Sequence, residues 1–280
     1  VTKRTGSGFV WKGVALAGSL LAVAASIGMN QSFFLHVVQE VNLGPASKQS
    51  WQKTYDQGQS LYSSGNYDEA YKLWAVALKE AELEGADHQG DGVEQIEVLK
   101  RLALLYKTQQ QPANAARMYE RAVSIATKNF GATSAPVAQI FLELGRVYTY
   151  TDAKNYAKAN EALKESFRIN EKLYGRDTIP TGDVAIALGA LKQLENDHAE
   201  AIKYFALAVK IGNLLEPNTI SCCRIGPRQQ LAKSYIALGR YKDASAVDEE
   251  LLEMARKGAP GMEASIREQY EMCLTKMRAQ

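Results

Sequence analysis

The 280-residue sequence predicts an all-α fold: an α-α superhelix of about five helical hairpins with a C-terminal capping helix, preceded by one transmembrane helix. Three observations predict it. A pattern of small and bulky residues recurs five times, with first positions at 58, 103, 145, 189 and 232, separated by 45, 42, 44 and 43 residues. Between these anchors, apolar residues fall at helical spacing, as in Val98, Leu102, Leu105 and Tyr106. Ahead of the repeats, residues 9–29 hold a single charge, Lys12, among apolar and small residues. A period of this length means stacked helical hairpins, which present surfaces for binding. The predicted organisation is a leader (1–8), a transmembrane helix (9–30), a juxtamembrane extension (31–48), the repeats (49–257) and a capping helix (258–280).

The span comes first in the chain. Twenty-one residues rising about 1.5 Å each give roughly 31 Å, which covers a hydrocarbon core of about 30 Å. Trp11 lies where an aromatic ring favours the interface, and Lys12 reaches back towards the headgroups. A cleaved secretory signal is the competing reading, with its basic start, apolar centre and small residues before Ser26. Lys3, Arg4 and Lys12 precede or begin the span, and the next charge is Glu40. The positive-inside tendency therefore expects the N-terminus on the matrix or cytoplasmic side and the repeats in the intermembrane space or periplasm. A first residue other than Met fits a cleaved organelle presequence and fits a disordered N-terminus equally; the mitochondrial inner membrane is the expected compartment, with a bacterial inner membrane or thylakoid as alternatives. Gly13, Ala17, Gly18, Ala22 and Ser26 fall on helical rows where small residues allow neighbouring spans to pack.

Each repeat follows the same steric logic. Gly58, Leu61, Gly65, Tyr67, Ala70, Trp74 and Ala77 set the first; Ala103, Tyr106, Gln110, Pro112, Ala115, Tyr119 and Ala122 the second. The third runs Gly145, Tyr148, Tyr156, Ala159, Leu163, Ser166, with two extra residues in its turn. Gly189, Lys192, Asn196, His198, Ala201, Phe205 and Ala208 make the fourth, and Ala232, Tyr235, Gly239, Tyr241, Ala244, Asp248 and Leu251 the fifth. Small residues let paired helices approach closely while the rings fill the space between hairpins. A last helix over Gly261–Arg278 places Ile266, Tyr270, Cys273 and Met277 on one face, suited to covering the final hairpin.

This order of residues resembles the tetratricopeptide repeat, over roughly residues 49–257. The longer period and the loops Phe130-Gly131…Pro136 and Tyr174-Gly175…Pro180 are similar to the kinesin-light-chain type. Lys192 and Asp248 depart from the pattern where bulky or aromatic residues are usual. The resemblance implies a concave face lined by the first helix of each pair. Its candidates are Lys100, Leu104, Lys107, Gln139, Leu142, Arg146, Asp183, Ile186, Gln193, Gln229 and Lys233. Lys100, Lys107 and Arg146 are expected to form a basic strip for a partner's carboxylates. The carboxylate clamp of the chaperone-tail type is not matched, since Tyr55, Gln59 and Arg101 stand at its first points. Nor is the recurring Asn of the kinesin-light-chain groove, whose points hold Arg101, Glu143, Ala187 and Gln230.

Composition narrows the function. Of 33 Lys+Arg and 31 Asp+Glu, residues 1–40 take three and one, so the repeats are neutral and have no general pull on nucleic acid. Cys222, Cys223 and Cys273 lack zinc spacing; they are expected as small half-buried residues, with a bridge to Cys273 the other reading. His36, His88 and His198 are scattered, and the Gly85–Gly92 stretch lacks the residue order of a calcium loop and reads as a solvated turn. No nucleophile–base pattern is present. The expectation is a non-enzyme with no catalytic residue, metal, cofactor or small-molecule substrate. It is a scaffold contacting protein subunits through its repeats and its span, and lipid through the span. The leading expectation is an accessory subunit of a bioenergetic membrane complex; the alternative is a transient adaptor for assembly or quality control.

Overall fold

The computed structural model describes residues 50–88, 92–150, 155–215 and 222–279. Eleven α-helices occupy them, and no strand occurs among the described residues. They are α1 (Ser50–Ser63), α2 (Tyr67–His88), α3 (Val93–Thr108), α4 (Pro112–Phe130), α5 (Ala135–Thr149), α6 (Tyr156–Tyr174), α7 (Ile179–Leu194), α8 (His198–Leu215), α9 (Cys222–Ala237), α10 (Tyr241–Gly258) and α11 (Glu263–Arg278). A short 3₁₀ turn, Pro260–Met262, precedes α11. The predicted span at 9–30, its small-residue rows (Gly13, Ala17, Gly18, Ala22, Ser26) and the extension at 31–48 lie outside the described residues. Among the described residues no helix is long and apolar enough to cross a membrane.

Turn chemistry sets the hairpins. In four of them the first helix ends on a left-handed residue at one register: Gly65 (φ 83°), Gln110 (φ 57°), Asn196 (φ 59°) and Gly239 (φ 70°). The next residue's N–H reaches back to Leu61, Tyr106, Lys192 and Tyr235 respectively, at 2.8–2.9 Å. This paired Schellman closure satisfies carbonyls that a helix end would leave bare. Second helices α4 and α6 end at Gly131 and Gly175, both left-handed. Three residues on, Ser134 and Thr178 hydroxyls donate to those glycine carbonyls. Pro136 and Pro180 then sit in the opening turns of α5 and α7, where no N–H is needed.

The chain divides into two compact units, residues 1–118 and 119–280, with the boundary inside α4. In the first, α1 and α2 close over Trp74, which is fully buried and donates Nε1 to the Tyr55 carbonyl at 3.1 Å. In the second, α5–α6, α7–α8 and α9–α10 pair in turn, and α11 lies on α10. Ala201, Ile202, Phe205 and Leu231 form one core cluster; Ile225, Leu251, Leu252, Ala255 and Ile266 form the cluster under the cap. Arg228, nearly fully buried, is satisfied by Asn213 of α8, the Arg224 carbonyl and Glu250 of α10.

Several expectations are corrected. α2 continues through Gly85 to His88 because it has no helix-stopping proline there, so the first half of the anticipated turn is helical. Cys222 and Cys223, whose position just ahead of the fifth repeat reads in sequence as a loop, begin α9. Cys273 is a free buried thiol, held against Asp248, so it is not bridged to either. The capping helix starts at Glu263, two residues later than expected, because Pro260 and Gly261 form the 3₁₀ turn. Met277 keeps 36% of its surface exposed, and its Sδ accepts a bond from Ser245 at 3.7 Å.

Candidate protein-binding face

In the first unit, α1 and α3 are joined by a polar network. The Tyr55 hydroxyl donates to Glu97 Oε1 at 3.1 Å and accepts from Arg101 Nε at 2.8 Å. Arg101 lies over the Tyr55 ring at 5.9 Å, and Lys100 pairs with Glu97 Oε2 at 2.9 Å. Burial works to raise the Glu97 carboxyl, but Lys100, Tyr55 and Arg101 outweigh it and hold it below the ordinary carboxylate range. Lys100 is thereby neutralised on its own helix. Leu104 is half-buried and Lys107 is exposed.

In the second unit, the first helices α5, α7 and α9 lie side by side. Gln139 and Lys233 are exposed on α5 and α9, and Ile186 and Gln229 are half-buried. Leu142 is 8% exposed and belongs to the core, a correction to its placement on the binding face. Gln193 is occupied: its Nε2 donates to the Gln230 carbonyl at 3.0 Å and to Ser234 Oγ at 2.8 Å, tying α7 to α9. It is a structural tie rather than a free ligand-facing amide. Arg146 Nη1 pairs with Glu143 Oε1 at 2.7 Å, one turn away on α5. The Asp183 carboxyl, half-buried on α7, makes no hydrogen bond or ion pair among the described residues. Burial pushes it up, opposed by the charge of Arg146. Tyr119 of α4 faces the same pair; burial chiefly, with Glu143, raises its phenol while Arg146 opposes.

The basic strip anticipated from Lys100, Lys107 and Arg146 is therefore not a row of bare cations, since two of the three are paired with glutamates one turn earlier. That neutralisation is written in the i,i+3 spacing of Glu97–Lys100 and Glu143–Arg146. Lys100 and Lys107 lie in the first unit and the remaining candidates in the second. Among the described residues no three His, Cys, Asp or Glu side chains gather where a metal ion could sit.

Hairpins of this register define a tetratricopeptide-like helical repeat. A family model described as tetratricopeptide repeat matches residues 94–166 and 148–213. Among solved structures, the chain is similar to BtubC (BKLC) from P. vanneervenii, with a TM-score of 0.66 and 20% identity over 87% of this chain and 93% of that one. It is also similar to a putative kinesin light chain from Podosopora anserina with nearly identical TPR-like repeats, at a TM-score of 0.60 and 18% identity over 74% and 96%. A Rap protein complexed with Competence and Sporulation Factor superposes at 0.57, with 18% identity over 89% and 68%. At these identities the likeness speaks for the fold. Comparison with curated proteins returns no match.

Proposed function

We propose that this chain is a membrane-tethered scaffold that binds proteins, serving as an accessory subunit of a larger membrane complex. The observation that carries the binding reading is the face of α5, α7 and α9. There Gln139, Arg146, Asp183, Ile186 and Lys233 keep surface that no neighbouring hairpin covers. Tetratricopeptide-like folds serve protein contacts, and the similar Rap protein was solved with Competence and Sporulation Factor bound. The tether rests on residues 9–29 of the sequence, apolar apart from Lys12. Holding a binding surface at a bilayer raises its effective concentration near partners in that bilayer. The positive charges before the span support repeats in the intermembrane space or periplasm, and the mitochondrial inner membrane is the compartment we favour.

Purification of the full chain from native membranes in mild detergent tests this reading. A subunit co-purifies with its complex at constant stoichiometry and stays in the membrane pellet through alkaline carbonate extraction. Release by carbonate ends the tether; a chain that elutes without any stoichiometric partner ends the subunit reading.

A further inference from the structure

The face of α5 and α7 carries one carboxylate, Asp183, that accepts no hydrogen bond among the described residues and has only the more distant charge of Arg146 to offset its burial. Asp183 is half-buried, so part of its hydration is gone, yet no donor replaces the lost water. The cation nearby, Arg146, points its Nη1 at Glu143 Oε1, 2.7 Å away. One turn along α7 from Asp183, half-buried Ile186 packs against the Phe205–Leu231 core cluster and leaves apolar surface facing outward. Charge and shape on this stretch thus favour a group that is cationic at its tip and apolar along its stem.

We infer that Asp183 is the anchor for a lysine or arginine of the bound partner segment, with the methylene stem lying along Ile186. The inference rests on the protein-binding reading given above and sharpens it. It also reverses the acidic partner that the basic residues of this face suggest in sequence. A partner carboxylate arriving here meets Asp183 and Glu143, whereas an ammonium or guanidinium forms a charge-assisted bond with an acceptor that has none. Arg146 then acts as a bystander, already engaged with Glu143.

Selection of a random dodecapeptide library on the purified full chain, at about physiological salt, reads this directly. Wild type is expected to enrich Lys or Arg at one position several-fold over the naive library. Asp183→Asn is expected to erase that enrichment, and Asp183→Lys to turn it towards Asp and Glu. Thermal unfolding confirms that both variants fold; Asp183→Asn alone keeps the comparison decisive if Asp183→Lys does not. A pool rich in acidic peptides, or a cationic preference that survives Asp183→Asn, overturns the assignment while leaving a binding face. Failure to select any peptide overturns the face itself, and the assignment with it.

Discussion

Gly189 on α7 sits against the ring of Phe205 on α8: a Cβ built on the glycine would stand 2.7 Å from Phe205 Cε1. Phe205 is fully buried, and a ring held in a core has no free end to swing aside. The same relation recurs at Gly145, where Leu163 lies 2.5 Å from the added carbon, and at Gly58 against Trp74 at 2.6 Å. Small residue and bulky residue are thus two halves of one contact, repeated along the chain.

Gly189→Ala is therefore expected to cost about 1–3 kcal/mol through overpacking. Gly212→Ala on α8 is the matched comparison, because an added carbon there meets only Arg224 Cγ, at an ordinary contact distance of 3.4 Å. Relief of glycine's conformational freedom should make it neutral or stabilising by about 0.5–1 kcal/mol. Chemical denaturation of both variants checks the pair. Equal effects would mean that helix propensity, not the ring contact, governs Gly189.

Gln110 holds a left-handed conformation (φ 57°) at the register where Gly65 and Gly239 stand in other hairpins. A side chain pays a steric penalty there that glycine avoids. The closing bond from Gln111 N to the Tyr106 carbonyl at 2.8 Å is a backbone bond and does not need the glutamine side chain. Gln110→Gly is expected to raise stability by about 0.5–1 kcal/mol, measured as a shift in the denaturation midpoint at constant m-value. A loss of stability would mean that the side chain holds the turn.

Much of this fold was legible because the pattern is local and periodic. All five anchor positions, Gly58, Ala103, Gly145, Gly189 and Ala232, are buried. So are the five small positions from Ala70 to Ala244 and the five that follow from Trp74 to Asp248. The candidate face was less legible, since a surface residue's role depends on what its neighbours leave free. Gln193 has the spacing of a ligand-facing residue, yet its amide is taken by Gln230 and Ser234, 37 and 41 residues away. Leu142 has the same spacing and is swallowed by the core. The pairing of Arg146 with Glu143, by contrast, was available from sequence.

Lys100 and Arg146 make ion pairs whose side chains remain about a third exposed. Pairs in such settings contribute little, typically about 0–1 kcal/mol, because water screens them and ordering two long chains costs entropy. The double variant Lys100→Gln, Arg146→Gln should unfold within a few degrees of wild type, by differential scanning calorimetry. A large drop would show that these pairs hold α3 or α5 in place, and would remove both residues from any account of binding.

Asp248 on α10 is fully buried where the repeat elsewhere places a ring or leucine, and it faces the capping helix rather than a cation. Gln269 Nε2 donates to its Oδ1 at 2.8 Å, and the Cys273 thiol approaches Oδ2 at 3.9 Å. Burial pushes its carboxyl from 3.8 up to about 6, against the smaller lowering by Gln269 and Cys273. Because the folded value is the higher one, the unfolded chain releases this proton first as pH rises. Asp248 thus favours the fold most below pH ~4; that advantage fades between pH ~4 and ~6, and above this the ionised carboxylate is a standing cost. Asp248→Asn keeps an acceptor for Gln269 and cannot ionise. Relative to wild type, it should gain on the order of 2 kcal/mol between pH 4 and pH 7. Denaturant midpoints at the two pH values measure that gain. A wild-type-to-variant difference that stays constant across the range would place the ionised carboxylate in a better-solvated setting than the seam between α10 and α11 provides.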